Sequence, residues 1–357
     1  MYYFIMNPTA SSGMGRKVWK KLKPILKMYG AEYSINTFKK EEELVGFVRT
    51  LTSHMKTDYP VSGMTEEEDD LQSRFDTGKM DNEKDLQSRF DTDKMDGDKD
   101  VDKDAGVHIV VLGGDGTLNL VLNSIVDIGN TKLSCIRVGS GNDFARNAGV
   151  DKDPEKALIH LLEDPVKVEL DYGEACYVMT DGTRKKRRFI ISSGIGYDAD
   201  ICEEVSHSEL KKFLNAVHLG KLVYVMIGIK QIFTRRNTKV KIYLDDNAPI
   251  RAGNLFFAVG MIHEMEGGGV PFCPHADPCD GLLEVCVAKG APIPKLLLEV
   301  VMVYLKKHLI FSNIEEYRCR KMRIITEKPQ WIHMDGETPC RIKAAELVCR
   351  QGLHFIK

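Results

Sequence analysis

The sequence predicts an α/β protein: an N-terminal parallel α/β layer followed by an antiparallel β-sandwich-like domain with inserted helices. Three observations predict it. Short apolar runs alternate with amphipathic stretches up to about residue 165, as βα units do. From Lys167 onward, short β-rich runs dominate. The 357 residues are also enough for two sizeable cores. The expected domains are residues 1–165, with an insertion at about 57–105, and residues 166–357, with a cleft between them.

The elements follow in order. Residues 2–6 (YYFIM) read as a buried strand, and 16–30 as a helix entered from the loop 7–15 (NPTASSGMG). A strand at 31–38 precedes a helix at 40–51. Beyond the insertion come a Val/Ile strand at 107–113, a glycine loop, a helix at 117–128 and a strand at 133–139 that leads into 140–149 (SGNDFARNAG). In the second half, the stretches 207–235 and 292–311 each show a broad apolar face edged with lysine among the β runs. Core packing, an acyl-chain cleft or contact with a bilayer would each explain such a face.

Residues 70–99 hold a tandem repeat, DLQSRFDTGKMDNEK then DLQSRFDTDKMDGDK, too short for a solenoid. Thr65 to Asp104 carries 16 acidic and 7 basic side chains; with a formal total of −2, the remainder is basic by about +7. The Asp-rich end does not fit the register of a calcium loop, so a disordered or loosely helical insertion is expected. Nine cysteines without CxxC spacing suggest reduced thiols, and Cys273, His275, Cys279 and Cys286 match no zinc module. YYFIM is too short for a secretory signal. Lys221, Lys230, Glu299 and Lys306 keep the longest apolar runs below the roughly 18 residues of a membrane span. A soluble, cytoplasmic protein is expected, peripheral to the inner face of the membrane. The run 184–188 (RKKRR), directly after TDGT, reads as a hairpin tip that could attract anionic headgroups.

Three loops carry the chemistry. The loop from Asn7 to Gly15, the loop Gly113-Gly114-Asp115-Gly116-Thr117 and the loop Ser140-Gly141-Asn142-Asp143 each follow a predicted strand. Backbone amides and a helix dipole there favour phosphate, at the carboxyl ends of parallel strands where open sheets bind ligands. Asp115 is anomalous: a carboxylate in a phosphate loop repels its ligand unless a divalent cation lies between them. The turn 335–337 (DGE) between two β segments offers two more carboxylates.

In order along the chain stand NPxxxxGxG, LGGDGTLN, GSGNDFARNAG, SSGIGYDAD, GGGVPFCPHADPCDGLLEVCV and MDGE. Together they resemble the soluble bacterial diacylglycerol kinase family, related to sphingosine and ceramide kinases, from Asn7 to Glu337. The acidic repeat is the clear departure. The resemblance implies a nucleotide-binding first layer with an ATP site drawn from Asn7, Ser12, Gly13, Thr37, Gly113, Gly114, Asp115, Gly116, Thr117, Ser140 and Asn142. It implies a structural Mg2+ on Asp277, Asp280 and the carbonyl of Leu282. Glu337 is the implied base, with Asp335 its partner or a member of the metal network, and Asp115 in the metal or hydrogen-bond network that holds the phosphates. The implied activity is Mg-assisted phosphorylation of the hydroxyl of diacylglycerol or a similar lipid, with nucleotide in the interdomain cleft. GGDG alone also fits a kinase for a soluble acceptor, as in NAD kinases and phosphofructokinases, and a non-catalytic nucleotide- or lipid-binding regulator is a third reading. The expected partners are a lipid substrate, an anionic membrane surface and a second copy of the chain in a homodimer, with no nucleic acid.

Overall fold

The first five residues after Met1 form β1 (Tyr2–Met6), whose inner three side chains, Phe4, Ile5 and Met6, are buried on both faces of the sheet that grows around it. In this computed structural model the described residues are 1–6, 14–38, 40–53, 106–139, 141–208, 220–235 and 238–357. The acidic repeat therefore lies outside the described residues, as do Asn7, Ser12, Gly13 and Ser140. Helix α1 (Met14–Met28) buries Val18, Leu22 and Leu26, one stripe at four-residue spacing. It is followed by β2 (Tyr33–Thr37), α2 (Glu41–Ser53), β3 (Val107–Gly113), α3 (Asp115–Ser124), β4 (Thr131–Arg137), a short α4 (Asp143–Asn147) and α5 (Pro154–Glu163).

The four strands pair in parallel in the order β2-β1-β3-β4. Helices on both faces leave β3 (VHIVVLG) almost wholly buried, which explains its continuous apolar run. Register aligns the carboxyl ends: Thr37 pairs with Met6, Met6 with Leu112, and Gly113 with Arg137. The loops after these strands thus share one sheet edge. The first βα helix after the insertion begins at Asp115 and not at 117, because Gly114 already serves as its N-cap. It ends at Ser124, ahead of the Gly129-Asn130 turn.

The second half is antiparallel. Its strands are β5 (Lys167–Met179), β6 (Arg184–Phe189), β7 (Ser192–Gly196), β8 (Thr238–Leu244), β9 (Ile250–Met261), β10 (Leu283–Lys289), β11 (Ile314–Cys319), β12 (Lys321–Met334) and β13 (Glu337–Ile356). Among the described residues three α-helices lie between them: α6 (Tyr197–His207), α7 (Gly220–Thr234) and α8 (Ile293–Tyr304). The sequence did not announce α6, which starts directly after the β-like run SSGIG. The 20-residue β13 pairs with β12 and β5, and its end reaches β4 in parallel, His354 opposite Lys132 and Phe355 opposite Leu133. Hydrogen bonding is continuous from β11 to β2. Phe355 packs edge-on against Phe144 in the core of the first layer.

Candidate active site

The site is built where the loops after β3 and β4 cross. A Cβ on Gly139 would lie 2.6 Å from the Cα of Gly114, and one on Gly113 would lie 2.8 Å from Thr117 Cβ. Only glycine allows these approaches. Asn142 takes a left-handed backbone, φ 52°, and braces the crossing: its Oδ1 accepts from Gly139 N at 3.0 Å and its Nδ2 donates to Gly139 O at 2.6 Å. Gly114 brings no side-chain cap to α3, so the amides of the first turn, at Asp115, Gly116 and Thr117, face outward at the positive end of the helix. Thr37 stands exposed at the same edge.

Asp115 turns sideways from this turn. Its Oδ2 and Oδ1 accept from Asp143 N and Phe144 N, each at 3.1 Å, and so cap α4. Burial, and then the charge of Asp143, push its carboxyl up to about 6. Asp143 itself is held by Arg146 Nη1 at 2.6 Å and by the backbone N of Gly268 at 2.7 Å. Arg146 also donates to Gly141 O. The glycine loop Gly267-Gly268-Gly269 of the second half is thereby fastened to the first, with all three glycines at positive φ.

The DGE turn joins β12 to β13, with Asp335 at φ 50° and Gly336 at φ 83°, the backbone that Asp-Gly hairpins adopt. Asp335 is a buttress. Its carboxylate accepts from the backbone N of Ile190 (2.9 Å), Ile191 (2.8 Å) and Ser192 (3.1 Å), and from Asn119 Nδ2 (2.6 Å). Burial raises its carboxyl above the ordinary range, while these four donors favour the ionised form. Asn119 in turn accepts from Arg187 Nη2 at 2.8 Å. Glu337 behaves differently: it is exposed, and its Oε1 would lie 3.6 Å from a Cβ on Gly116. The structure therefore brings the free carboxylate of the DGE turn against the first turn of α3.

The turn 277–282 lies apart, against β5. Asp277 Oδ1 accepts from Cys279 N and Asp280 Oδ1 from Leu282 N, both at 3.0 Å, while Arg318 Nη2 holds Asp280 Oδ2 at 2.8 Å. Asp171 closes on this turn, accepting from Gly281 N at 2.7 Å and donating its own N to Pro278 O. Burial first, then Asp280 and Asp277, push Asp171 up to about 6. Asp277 and Asp280 on the turn, with Asp171 beside it on β5, offer hard oxygen donors of the kind Mg2+ takes, but the three carboxylates do not converge within 4.8 Å of one another. Sequence reasoning gave no role to Asp171, Asn119 or Arg146, and named Asp143 only as the end of its loop. NDFAR contained two of them, but their partners are set only by the fold.

The run 184–188 is strand β6, directly after the turn at Asp181-Gly182, and it is not a free tip. Arg188 Nη1 donates to Leu122 O and Ile125 O, Arg187 holds Asn119, and Lys186 pairs with Glu174. Arg187 and Arg188 thus brace α3 and Lys186 lies against β5, while Lys185 and Lys186 remain exposed.

Residues 71–175 match the diacylglycerol kinase catalytic domain, and residues 191–355 match the YegS C-terminal NAD kinase beta sandwich-like domain. The chain is 24% identical over 230 residues to the diacylglycerol kinase of Bacillus subtilis (strain 168), across 64% of this chain and 70% of that protein. It is 25% identical over 247 residues to the diacylglycerol kinase of Staphylococcus carnosus (strain TM300), across 69% and 74%. A crystal structure of a diacylglycerol kinase from Bacillus anthracis str. Sterne shares its fold, with a TM-score of 0.62 at 17% identity over 99% of this chain and 95% of that one. With two domain matches in series, over residues 71–175 and 191–355, and these curated relatives, the chain belongs to the diacylglycerol kinase-like lipid kinase family.

Proposed function

We propose that this chain transfers the γ-phosphoryl group of ATP to the hydroxyl of diacylglycerol or a similar single-hydroxyl lipid. The observation that carries this reading is the placement of exposed Glu337 beside Gly116, at the end of the α3 dipole where phosphates are favoured. ATP lies with its phosphates on the amides of Gly114 to Thr117, and Thr37 and Asn142 stand at the same edge. Glu337 accepts the acceptor's hydroxyl proton. The oxygen then bonds to the γ-phosphorus, the bond to the β-phosphate oxygen breaks, and ADP leaves. Asp335 fixes the turn so that Glu337 does not drift. Mg2+ neutralises phosphate charge when bound. Asp115 is the residue placed to join that network, and Asp277, Asp280 and Leu282 O would hold a structural ion.

The acceptor reaches the site from a membrane. Helices α7 and α8 touch, and both leave large apolar side chains in solvent: Ile229 and Phe233 on one, Leu298, Val301 and Tyr304 on the other, with Leu305 and Ile310 just beyond. No described helix is long and apolar enough to cross a membrane. An apolar face at the surface suits shallow contact with a bilayer. This favours a lipid over a soluble acceptor such as a dinucleotide. Purified protein incubated with labelled ATP, Mg2+ and diacylglycerol in mixed micelles should yield labelled phosphatidic acid. Label transfer to NAD, with none to any lipid of a panel, would overturn the reading. ATP binding with no transfer at all would instead mark a regulator.

A further inference from the structure

Beneath the DGE turn lies a second polar cluster that phosphoryl transfer does not use. His333 is on β12 two residues before Asp335, Asp198 is in the first turn of α6, and Glu266 opens the glycine loop. His333 is 1% exposed and Asp198 6%. His333 Nε2 and Asp198 Oδ2 are 2.9 Å apart, and Ser192 Oγ donates to Glu266 Oε2. His333 Nδ1 is fully buried and has no hydrogen-bond partner. Gly194 makes room for the cluster, since a Cβ there would lie 2.6 Å from Asp198 Oδ2. Among the described residues this is the one group of three or more His, Cys, Asp or Glu side chains whose donor atoms all lie within 4.8 Å of one another.

The donor set is rich in charge and largely shielded from water: Asp198 and His333 are buried and Glu266 is half-buried. With both carboxylates ionised around a neutral imidazole, the three side chains carry a charge of −2. Arg235, whose charge reaches Asp198, is itself bonded to Asp200 at 2.8 Å and to Leu255 O. A dication with a neutral imidazole brings the sum to zero.

We propose that Asp198, Glu266 and His333 bind one first-row transition-metal dication of the Mn2+ or Zn2+ class. One imidazole and two carboxylates form a mixed N/O donor set that such ions take in preference to Mg2+, which favours oxygen alone. The spacing suits replacement of a proton by the ion. Metal bonds of about 2.0–2.2 Å put neighbouring donor atoms about 3–3.5 Å apart, from right-angled to tetrahedral geometry, near the His333–Asp198 separation. Binding releases the shared proton and ties together three segments: the start of α6, the end of β12 and the glycine loop that holds Asp143 through Gly268. The role is positional, and the site is separate from the turn of Asp277 and Asp280.

The test uses the full chain, stripped with chelator and reloaded with Mn2+. Metal analysis after gel filtration and pulsed electron paramagnetic resonance then read stoichiometry and ligands. The expected result is one retained Mn2+ per chain with nitrogen modulation from one imidazole, displaced by Zn2+ but not by excess Mg2+. His333→Ala should lose it, Glu266→Gln should weaken it at least about tenfold, and Asp277→Asn should keep it. Absence of nitrogen modulation in the wild type, or full retention in Glu266→Gln, would overturn the assignment. Those two measurements decide the matter even where His333→Ala does not fold.

Discussion

Asp335 and Glu337 stand two residues apart, yet their environments divide their work. Asp335 places its oxygens on four donors from two segments, whereas Glu337 is free at the rim. Replacing Asp335 with Ala should strand those donors and cost about 3 kcal/mol or more, seen as a lower midpoint in urea unfolding along with lost turnover. The buried histidines supply a second prediction. Burial holds His108 and His263 down to about 4, below the ordinary 6.5. Both are neutral in the fold, so the unfolded chain binds more protons below pH 6.5. Stability is fully present above that pH and is lost as pH falls from 6.5 towards 4, by about 2 kcal/mol per histidine at pH 5. Asp115 and Asp171, pushed up to about 6, gain stability over the same range, so the comparison with His263→Gln isolates the histidine. The wild-type unfolding midpoint should fall relative to the variant's between pH 7 and 5. Gly113, Asp115 and Asn142 stand out in the sequence as members of loops that follow strands, whereas Glu337 enters only through the family resemblance, since Asp-Gly in a β turn is locally unremarkable. Asn119, at the end of LGGDGTLN, and Asp171 show no local sign of their bonds, since their partners lie 216 and 110 residues away.

At the scale of elements, composition misled where contact decides. RKKRR has the look of a membrane-seeking tip, but Arg187 and Arg188 are committed to α3. The reverse holds for α8, whose apolar run has the look of core yet leaves Leu298 and Val301 more than half exposed at 51% and 56%. Apolar periodicity identifies a helix face but not what covers it. If this face meets lipid, Val301→Asp with Leu305→Asp should lower turnover on vesicle-embedded diacylglycerol about tenfold or more, since several buried apolar groups are forfeited. Turnover on a short-chain, dispersed acceptor should be unchanged. An equal loss on both acceptors would assign the face to folding.

Across the whole molecule, the α/β alternation and the change of character near Lys167 were readable because the periods of helix and strand differ. The path of β13 was not. Nothing in its alternation tells that its end returns to β4, because pairing between distant strands is fixed by register and not by local pattern. That return, with the bonds of Asp335 to Asn119 and of Gly268 to Asp143, sets the second half against the first. The proposed chemistry depends on it, since Gly116 comes from one half and Glu337 from the other. The most direct measurement is therefore phosphoryl transfer by Glu337→Gln, alongside its ATP binding by calorimetry. Turnover on diacylglycerol should fall by about 10²–10⁴-fold, with ATP affinity and unfolding midpoint near those of the wild type. Wild-type turnover in that variant, or ATP affinity lost along with turnover, would contradict the role given to Glu337.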